Sequence, residues 1–154
     1  MAWRILYQIK MVEIKESVEV NLERVEAMIF KGTFDNGEYE VYIDKTREDP
    51  SKILGPTPSR MLACALLGCL TSSLLACVQK AGLEMNGITS KANFDLVKDD
   101  RGFVRIGKIH VSMKPSINSP DIEKRLLVCK KYFEKQCTVT SALKDGIDIK
   151  VDFN

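Results

Sequence analysis

The sequence is poor in the residues on which most hydrolase and metal chemistry depends. It has one histidine, His110, and no G-x-S-x-G run, so a hydrolase with a base beside its nucleophile is a poor fit. It has no phosphate-binding glycine loop and no dinucleotide fingerprint. On a helix, Cys64 and Cys69 would lie about 140° apart and form no single ligand face. We therefore expect no metal, and we expect His110 to be a strand residue at a sheet surface or in the core.

A strong excess of charge of either sign is also lacking. The net charge is +2, and the basic residues are spread among acidic ones, which is typical of a solvated surface. A nucleic-acid partner is therefore not expected. Five cysteines, an odd number, without a secretory signal at the N-terminus predict a protein of the reducing cytoplasm. The length of 154 residues is that of one domain, 1–154.

What the sequence does have is a long uncharged segment in its middle. The run GPTPSRMLACALLGCLTSSLLACVQKAG occupies 55–82, and no charge lies between Arg60 and Lys80. Its proline and glycine boundaries predict one central helix over 57–81. The uncharged length fits a membrane span, but its threonine, serines and many small residues make it only weakly hydrophobic. We favour a buried core helix, and no membrane partner.

A helix that is apolar on all sides has to be covered on all sides. One amphipathic helix and the sheet faces of so short a chain cover about two of those sides. A second copy of the chain is the natural supplier of the missing surface. The sequence therefore predicts an obligate homodimer.

Alternating polar and apolar residues predict strands on both sides of the helix. Before it we expect a strand over 3–14 and then a hairpin. Its first strand starts at Val18 and carries a bulge or break near Arg24, and its second covers Tyr39 to Ile43.

After the central helix we expect a second hairpin over 88–113, with a bulge at Gly107. An amphipathic helix starting at Ser119, a short helical piece to Lys144 and a final strand over 147–153 follow. The fold class is therefore α+β with antiparallel sheet.

Two parts of this pattern carry a resemblance to a known family. The run GPTPSRMLACALLGC at 55–69 is followed far downstream by QCTV at 136–139, a short helix and an alternating strand. In order and spacing this resembles the OsmC/Ohr family (osmotically inducible protein C and organic hydroperoxide resistance), and most of all its YhfA-like branch. The resemblance extends from about Val18 to Phe153 and leaves 1–17 outside as an N-terminal extension. It implies an intertwined homodimer in which antiparallel sheets wrap around long buried helices, with active sites at the interface.

The resemblance also implies a chemistry: reduction of organic hydroperoxides, supported by an external dithiol or lipoyl-type reductant and without a bound cofactor. Cys69 matches the peroxidatic cysteine and Cys137 its resolving partner. The arginine that holds the thiolate in the family corresponds to Arg24 or Arg60 here. Ser59 stands where the Ohr and OsmC branches have a glutamate.

A second hypothesis comes from a different class of protein. A dimer of the same fold could bind a small apolar or thiol ligand in its interface pocket without turnover. The missing glutamate at Ser59 favours this alternative, and the pair Cys69 and Cys137 favours the peroxidase.

Overall fold

The computed structural model describes residues 16–46 and 49–153. The chain divides into two compact units, 1–60 and 61–154. The strand predicted over 3–14 lies outside the described residues.

The first unit contains a three-stranded antiparallel sheet rather than the predicted two-stranded hairpin. Its strands, in sheet order, are β1 (Val20–Glu26), β2 (Ile29–Phe34) and β3 (Tyr39–Asp44). The predicted irregularity near Arg24 is a bulge between Arg24 and Glu26. The chain then reverses at Ala27, which adopts a φ of 40°. The prediction of a single strand is wrong. When the apolar residues of a strand shift by one position, the chain can either continue past a bulge or turn back into a new strand.

Asp44, at the end of β3, organises the connection that leads to the central helix. Its Oδ1 accepts hydrogen bonds from the hydroxyl and the N–H of Thr46 at 2.7 and 2.8 Å, and its Oδ2 accepts from the N–H of Leu54 at 3.1 Å. These donors, the Thr46 hydroxyl first, hold the pKa of Asp44 below its ordinary value. Gly55 follows with its Cα against the carbonyl of Tyr42, where a side chain would collide with the backbone. The connection is therefore fixed at both ends.

The second unit contains one antiparallel hairpin and the helices. Its elements are the main part of α1 (Pro58–Gln79), β4 (Ile88–Lys98), β5 (Val104–Pro115), α2 (Pro120–Cys129), α3 (Phe133–Gln136) and α4 (Thr138–Asp145). The bulge predicted at Gly107 is confirmed, since Asp95 pairs with Lys108 and Leu96 pairs with Ile106. The start predicted for α2 is confirmed as well.

Helix α1 is buried on one side in the single chain. Its buried residues recur at spacings of three and four and include Leu66, Leu70, Leu74 and Val78. This side packs against the β4–β5 hairpin and the helices that follow it. The opposite side is exposed and lined by small residues at every fourth position, namely Cys64, Gly68, Ser72 and Ala76. By length and composition alone α1 could cross a membrane, a test that the core helix of a soluble protein also passes.

Two features of the second unit depart from the sequence prediction. The strand predicted over 147–153 is wrong for the single chain: no strand forms there, and the apolar side chains are exposed, Phe153 to 98%. A segment of alternating polar and apolar residues becomes a strand only where its backbone N–H and C=O groups pair with the edge of another strand. The second departure is a disulfide between Cys77 of α1 and Cys129 of α2, which the sequence analysis does not predict.

Candidate functional site

The structure brings Cys69 and Cys137 together. Cys69 lies in the middle of α1 and is partly buried, whereas Cys137 immediately precedes α4 and is fully buried. Both thiols are free, and Cys69 packs against the buried cluster that contains Cys137, close enough for each thiol to shift the pKa of the other. Two thiols in contact are able to form a disulfide, which is what the sequence analysis expects of this pair.

The contact lies at the N-terminus of α4. Cys137 is the N-cap of that helix, and its sulfur accepts hydrogen bonds from the hydroxyl of Thr140 at 3.0 Å and from the N–H of Thr140 at 3.4 Å. Burial raises the pKa of the Cys69 thiol, and the N–H groups of Val139 and Thr138 shift it in the opposite direction. The unpaired N–H groups of a helix start favour a negative charge, and here one of them, that of Thr140, donates to the sulfur of Cys137. Sequence reasoning missed Thr140, although a cysteine three residues before a threonine at a helix start has the spacing of a capping pair.

The surroundings shift the pKa values of the two thiols in opposite directions. Burial and the hydrogen bond to Cys137 raise the pKa of Cys69. Burial alone would also raise the pKa of Cys137, but the donors Cys69 and Thr140 outweigh it and lower that pKa. When the pair holds one proton, the proton therefore resides on Cys69 and the charge on Cys137.

The two predicted arginines have partners of their own in the first unit. The Nε of Arg24 donates to the carbonyl of Ala27 at 2.9 Å, and the guanidinium of Arg60 donates to the hydroxyl of Thr57 at 3.2 Å. Arg60 precedes Cys69 by nine residues on α1, which corresponds to about 13 Å along the axis and to the opposite side of the helix. A role for either arginine at the thiol pair stays a prediction.

A cavity of about 420 Å³ lies within the second unit, beside the thiol pair. Its walls are mostly apolar, with Leu66, Ile109 and Phe133 among the lining residues. Thr140 lines the cavity as well as binding Cys137, so the cavity and the pair share one side chain. His110 is an exposed residue of β5, one of the two placements that the sequence predicts for it.

Comparisons with known proteins agree with this architecture. The family model described as OsmC-like protein matches residues 48–152, which is more than half of the chain. No protein of curated function matches the chain by sequence.

Solved structures share the fold at low sequence identity. The OsmC-like protein of Mycoplasma pneumoniae superposes with a TM-score of 0.69 at 13% identity, covering 86% of this chain and 91% of that chain. The organic hydroperoxide resistance protein OhrB of Bacillus subtilis gives 0.61 at 16% identity, covering 88% and 96%. An organic hydroperoxide resistance protein OsmC of Legionella pneumophila gives 0.64 at 10% identity, covering 90% and 96%.

The α+β class and the antiparallel sheets predicted from the sequence are confirmed. The family model covers both cysteines of the pair and most of the second unit. The resemblance seen in the sequence is confirmed at the level of the family, and the YhfA-like branch stays a prediction. The chain belongs to the OsmC-like protein family.

Proposed function

We propose that the chain is a thiol peroxidase that reduces organic hydroperoxides, with Cys69 as the peroxidatic and Cys137 as the resolving cysteine. The observation that carries the proposal is the contact of these two thiols at the N-terminus of α4, beside an apolar cavity. The names of the Bacillus subtilis and Legionella pneumophila relatives, organic hydroperoxide resistance proteins, point to the same substrate class.

In the first step the pair itself provides the base. Cys69 transfers its proton to the thiolate of the neighbouring Cys137. The Cys69 thiolate attacks the terminal oxygen of the hydroperoxide, the O–O bond breaks, and the alkoxide leaves and takes the proton from the Cys137 thiol to become the alcohol, which returns Cys137 to the thiolate. Cys69 is then a sulfenic acid. Cys69 is the attacking thiol because it is partly exposed, whereas Cys137 is fully buried.

In the second step Cys69 and Cys137 form a disulfide. The thiolate of Cys137 attacks the sulfur of the sulfenic acid, the S–O bond breaks, and hydroxide leaves and becomes water with one proton. The sum is two thiols and a hydroperoxide converted to a disulfide, an alcohol and water. An external dithiol of the lipoyl type returns the pair to the thiol state and carries away the two electrons as its own disulfide. We place this cycle in the cytoplasm.

The helix start stabilises the negative charge of the pair on Cys137, whereas the family resemblance implies that an arginine holds the thiolate of Cys69. The N–H groups of Thr138 and Val139 act on Cys69, and Thr140 donates twice to Cys137. Thr138 stands where proline or serine is usual in the YhfA-like branch, and unlike proline it carries an N–H. An arginine from a second copy of the chain would add to this stabilisation.

We further propose that the chain is a homodimer. The exposed side of α1 carries small residues, from Cys64 to Ala76, so a second helix could approach its backbone closely. The segment 147–153 has alternating apolar side chains, all of them exposed, and its pattern suits pairing with an edge of another copy. Both surfaces are costly in water, and a partner subunit would cover them.

The peroxidase proposal is tested with cysteine variants and cumene hydroperoxide. Cys69→Ser should abolish peroxide consumption, and Cys137→Ser should slow the first oxidation, because its base is lost, and stop the reaction before the disulfide. Cys64→Ser is the matched control because it removes an exposed thiol from the same helix. Mass spectrometry after one equivalent of peroxide should find a Cys69–Cys137 disulfide in the wild type. Unchanged peroxide consumption by Cys69→Ser would exclude the mechanism.

The alternative is an OsmC-like dimer that binds a small apolar or thiol ligand without turnover. The apolar cavity of about 420 Å³ and the serine at position 59 favour it. Binding of an apolar alcohol such as cumyl alcohol, together with a wild type that forms no disulfide in peroxide, would support this alternative over the peroxidase.

A further inference from the structure

We propose that Cys77 and Cys129 are a second redox centre of this chain, a buried disulfide that forms under oxidation and fastens α2 to α1 without taking part in peroxide turnover. Their Cα atoms are 5.9 Å apart and their sulfurs are bonded, while Cys69 and Cys137 remain thiols in the same structure. One chain thus holds two cysteine pairs in different redox states.

The two pairs are separate along the helix. Cys77 follows Cys69 by eight residues on α1, a distance of about 12 Å along the helix axis and about 80° around it. Each pair belongs to its own buried cluster: Cys77 and Cys129 lie with Leu74 and Leu126, and Cys137 lies with Leu66 and Leu70. Direct exchange between Cys69 and Cys77 is therefore excluded by their distance along the helix.

Hydrogen bonds between α2 and α1 keep Cys77 and Cys129 close to each other in addition to the disulfide. Arg125 of α2 donates to the carbonyl of Cys77 from Nε at 3.0 Å and from a terminal nitrogen at 2.8 Å. That carbonyl lies in the last turn of α1, where helical carbonyls lack partners and favour a cation. These bonds do not depend on the redox state, so they keep the reduced thiols close and ready to re-form the disulfide.

The oxidant for this centre is a low-molecular-weight disulfide such as oxidised glutathione. The thiolate of Cys77, which is 8% exposed, attacks one sulfur of that disulfide and releases one thiolate. The thiolate of Cys129 then attacks the Cys77 sulfur of the mixed disulfide and releases the second. Two protein thiols lose two electrons and two protons, and one small disulfide becomes two small thiols. Because Cys129 is fully buried and Cys77 is only 8% exposed, external dithiols reduce the finished bond more slowly than they reduce a bond between Cys69 and Cys137.

The experiment uses the chain with Cys69 and Cys137 both replaced by serine, so that the outcome is independent of peroxidase activity. Cys64, a free thiol that belongs to neither pair, remains as the internal control. The fully reduced protein is treated with oxidised glutathione and analysed by mass spectrometry, and its thermal unfolding is measured before and after. We expect a Cys77–Cys129 linkage and a midpoint higher by about 8 to 16 °C, because the bond closes a loop between residues 52 positions apart.

A second measurement concerns the wild type, in which both pairs are oxidised. A lipoyl-type dithiol added to the folded protein should reduce the Cys69–Cys137 disulfide and leave the Cys77–Cys129 disulfide intact, as read by mass spectrometry after the free thiols are alkylated in denaturant. Reduction of both pairs at the same rate would overturn the inference. So would a midpoint that is unchanged by oxidation, or a glutathione adduct on Cys77 that never proceeds to the internal disulfide.

Discussion

The sharpest test of the thiol pair is the substitution Thr140→Val. The hydroxyl of Thr140 donates to the sulfur of Cys137 at 3.0 Å, and the side chain is 8% exposed. Valine has nearly the same shape and keeps the backbone N–H that also binds Cys137. The substitution therefore removes one hydrogen bond to a buried thiolate and little else.

The magnitude follows from that one bond. A hydrogen bond to a charged sulfur is worth about 1 to 2 kcal/mol, so its loss should raise the pKa of Cys137. Below that pKa a smaller fraction of Cys137 is available as a thiolate. Peroxide consumption should then fall about 5- to 30-fold at neutral pH and recover as the pH rises.

The assay is the rate of cumene hydroperoxide consumption by Thr140→Val and by the wild type, measured from about pH 5 to pH 9. Thr138→Val is the matched control, because its side chain is exposed and its N–H is retained. Urea unfolding of both variants shows whether a rate change reflects lost stability. A Thr140→Val variant with the wild-type pH profile would refute the argument that Thr140 sets the charge on Cys137.

Two further predictions concern the fold and the assembly. The folded pKa of Asp44 lies below its unfolded value, so the ionised carboxylate stabilises the protein above the unfolded pKa, and this contribution is lost as the pH falls through the folded pKa. Asp44→Asn should therefore lower the urea midpoint at pH 7 and match the wild type near pH 2; an equal loss at both pH values would contradict this. For the assembly, the thermal midpoint should rise between about 1 and 100 µM protein, because dissociation accompanies unfolding in an obligate dimer. Removal of 147–153 should weaken that dependence, and a stable monomer in analytical ultracentrifugation would exclude the dimer.

Much of the fold could be predicted because its signals are local. The central helix, expected over 57–81, occupies Pro58–Gln79, and the residue after its last turn, Gly82, has the left-handed φ of 70° that the sequence suggests. The bulge at Gly107 and the cap at Ser119 also follow from neighbouring residues alone. Turn, cap and parity signals act within a few positions, and tertiary packing rarely reverses them.

The errors arise where the outcome depends on distant partners. The change of parity near Arg24 fits either a bulged strand or a strand followed by a reversal, and the structure contains a bulge and then a reversal. The segment 147–153 has the most regular alternation of polar and apolar residues in the chain. Alternation predicts which side chains share a face of a strand, but it does not provide a neighbouring strand with which to pair. The bond between Cys77 and Cys129 depends on how α2 docks on α1, which no spacing in the sequence encodes.

The difference between the two cysteine pairs follows from which end of a helix each partner occupies. Cys69 and Cys77 are both residues of α1, but Cys137 caps the N-terminus of α4, whereas Cys129 is the last residue of α2. A helix N-terminus stabilises a thiolate, and a helix C-terminus disfavours one. Thiol exchange needs a stable thiolate both to attack and to leave, so the pair at the helix start should cycle and the pair at the helix end should persist once formed. On the proposed function, the central helix carries one reactive cysteine, Cys69, and one structural cysteine, Cys77, and the helix terminus that faces each of them accounts for the difference.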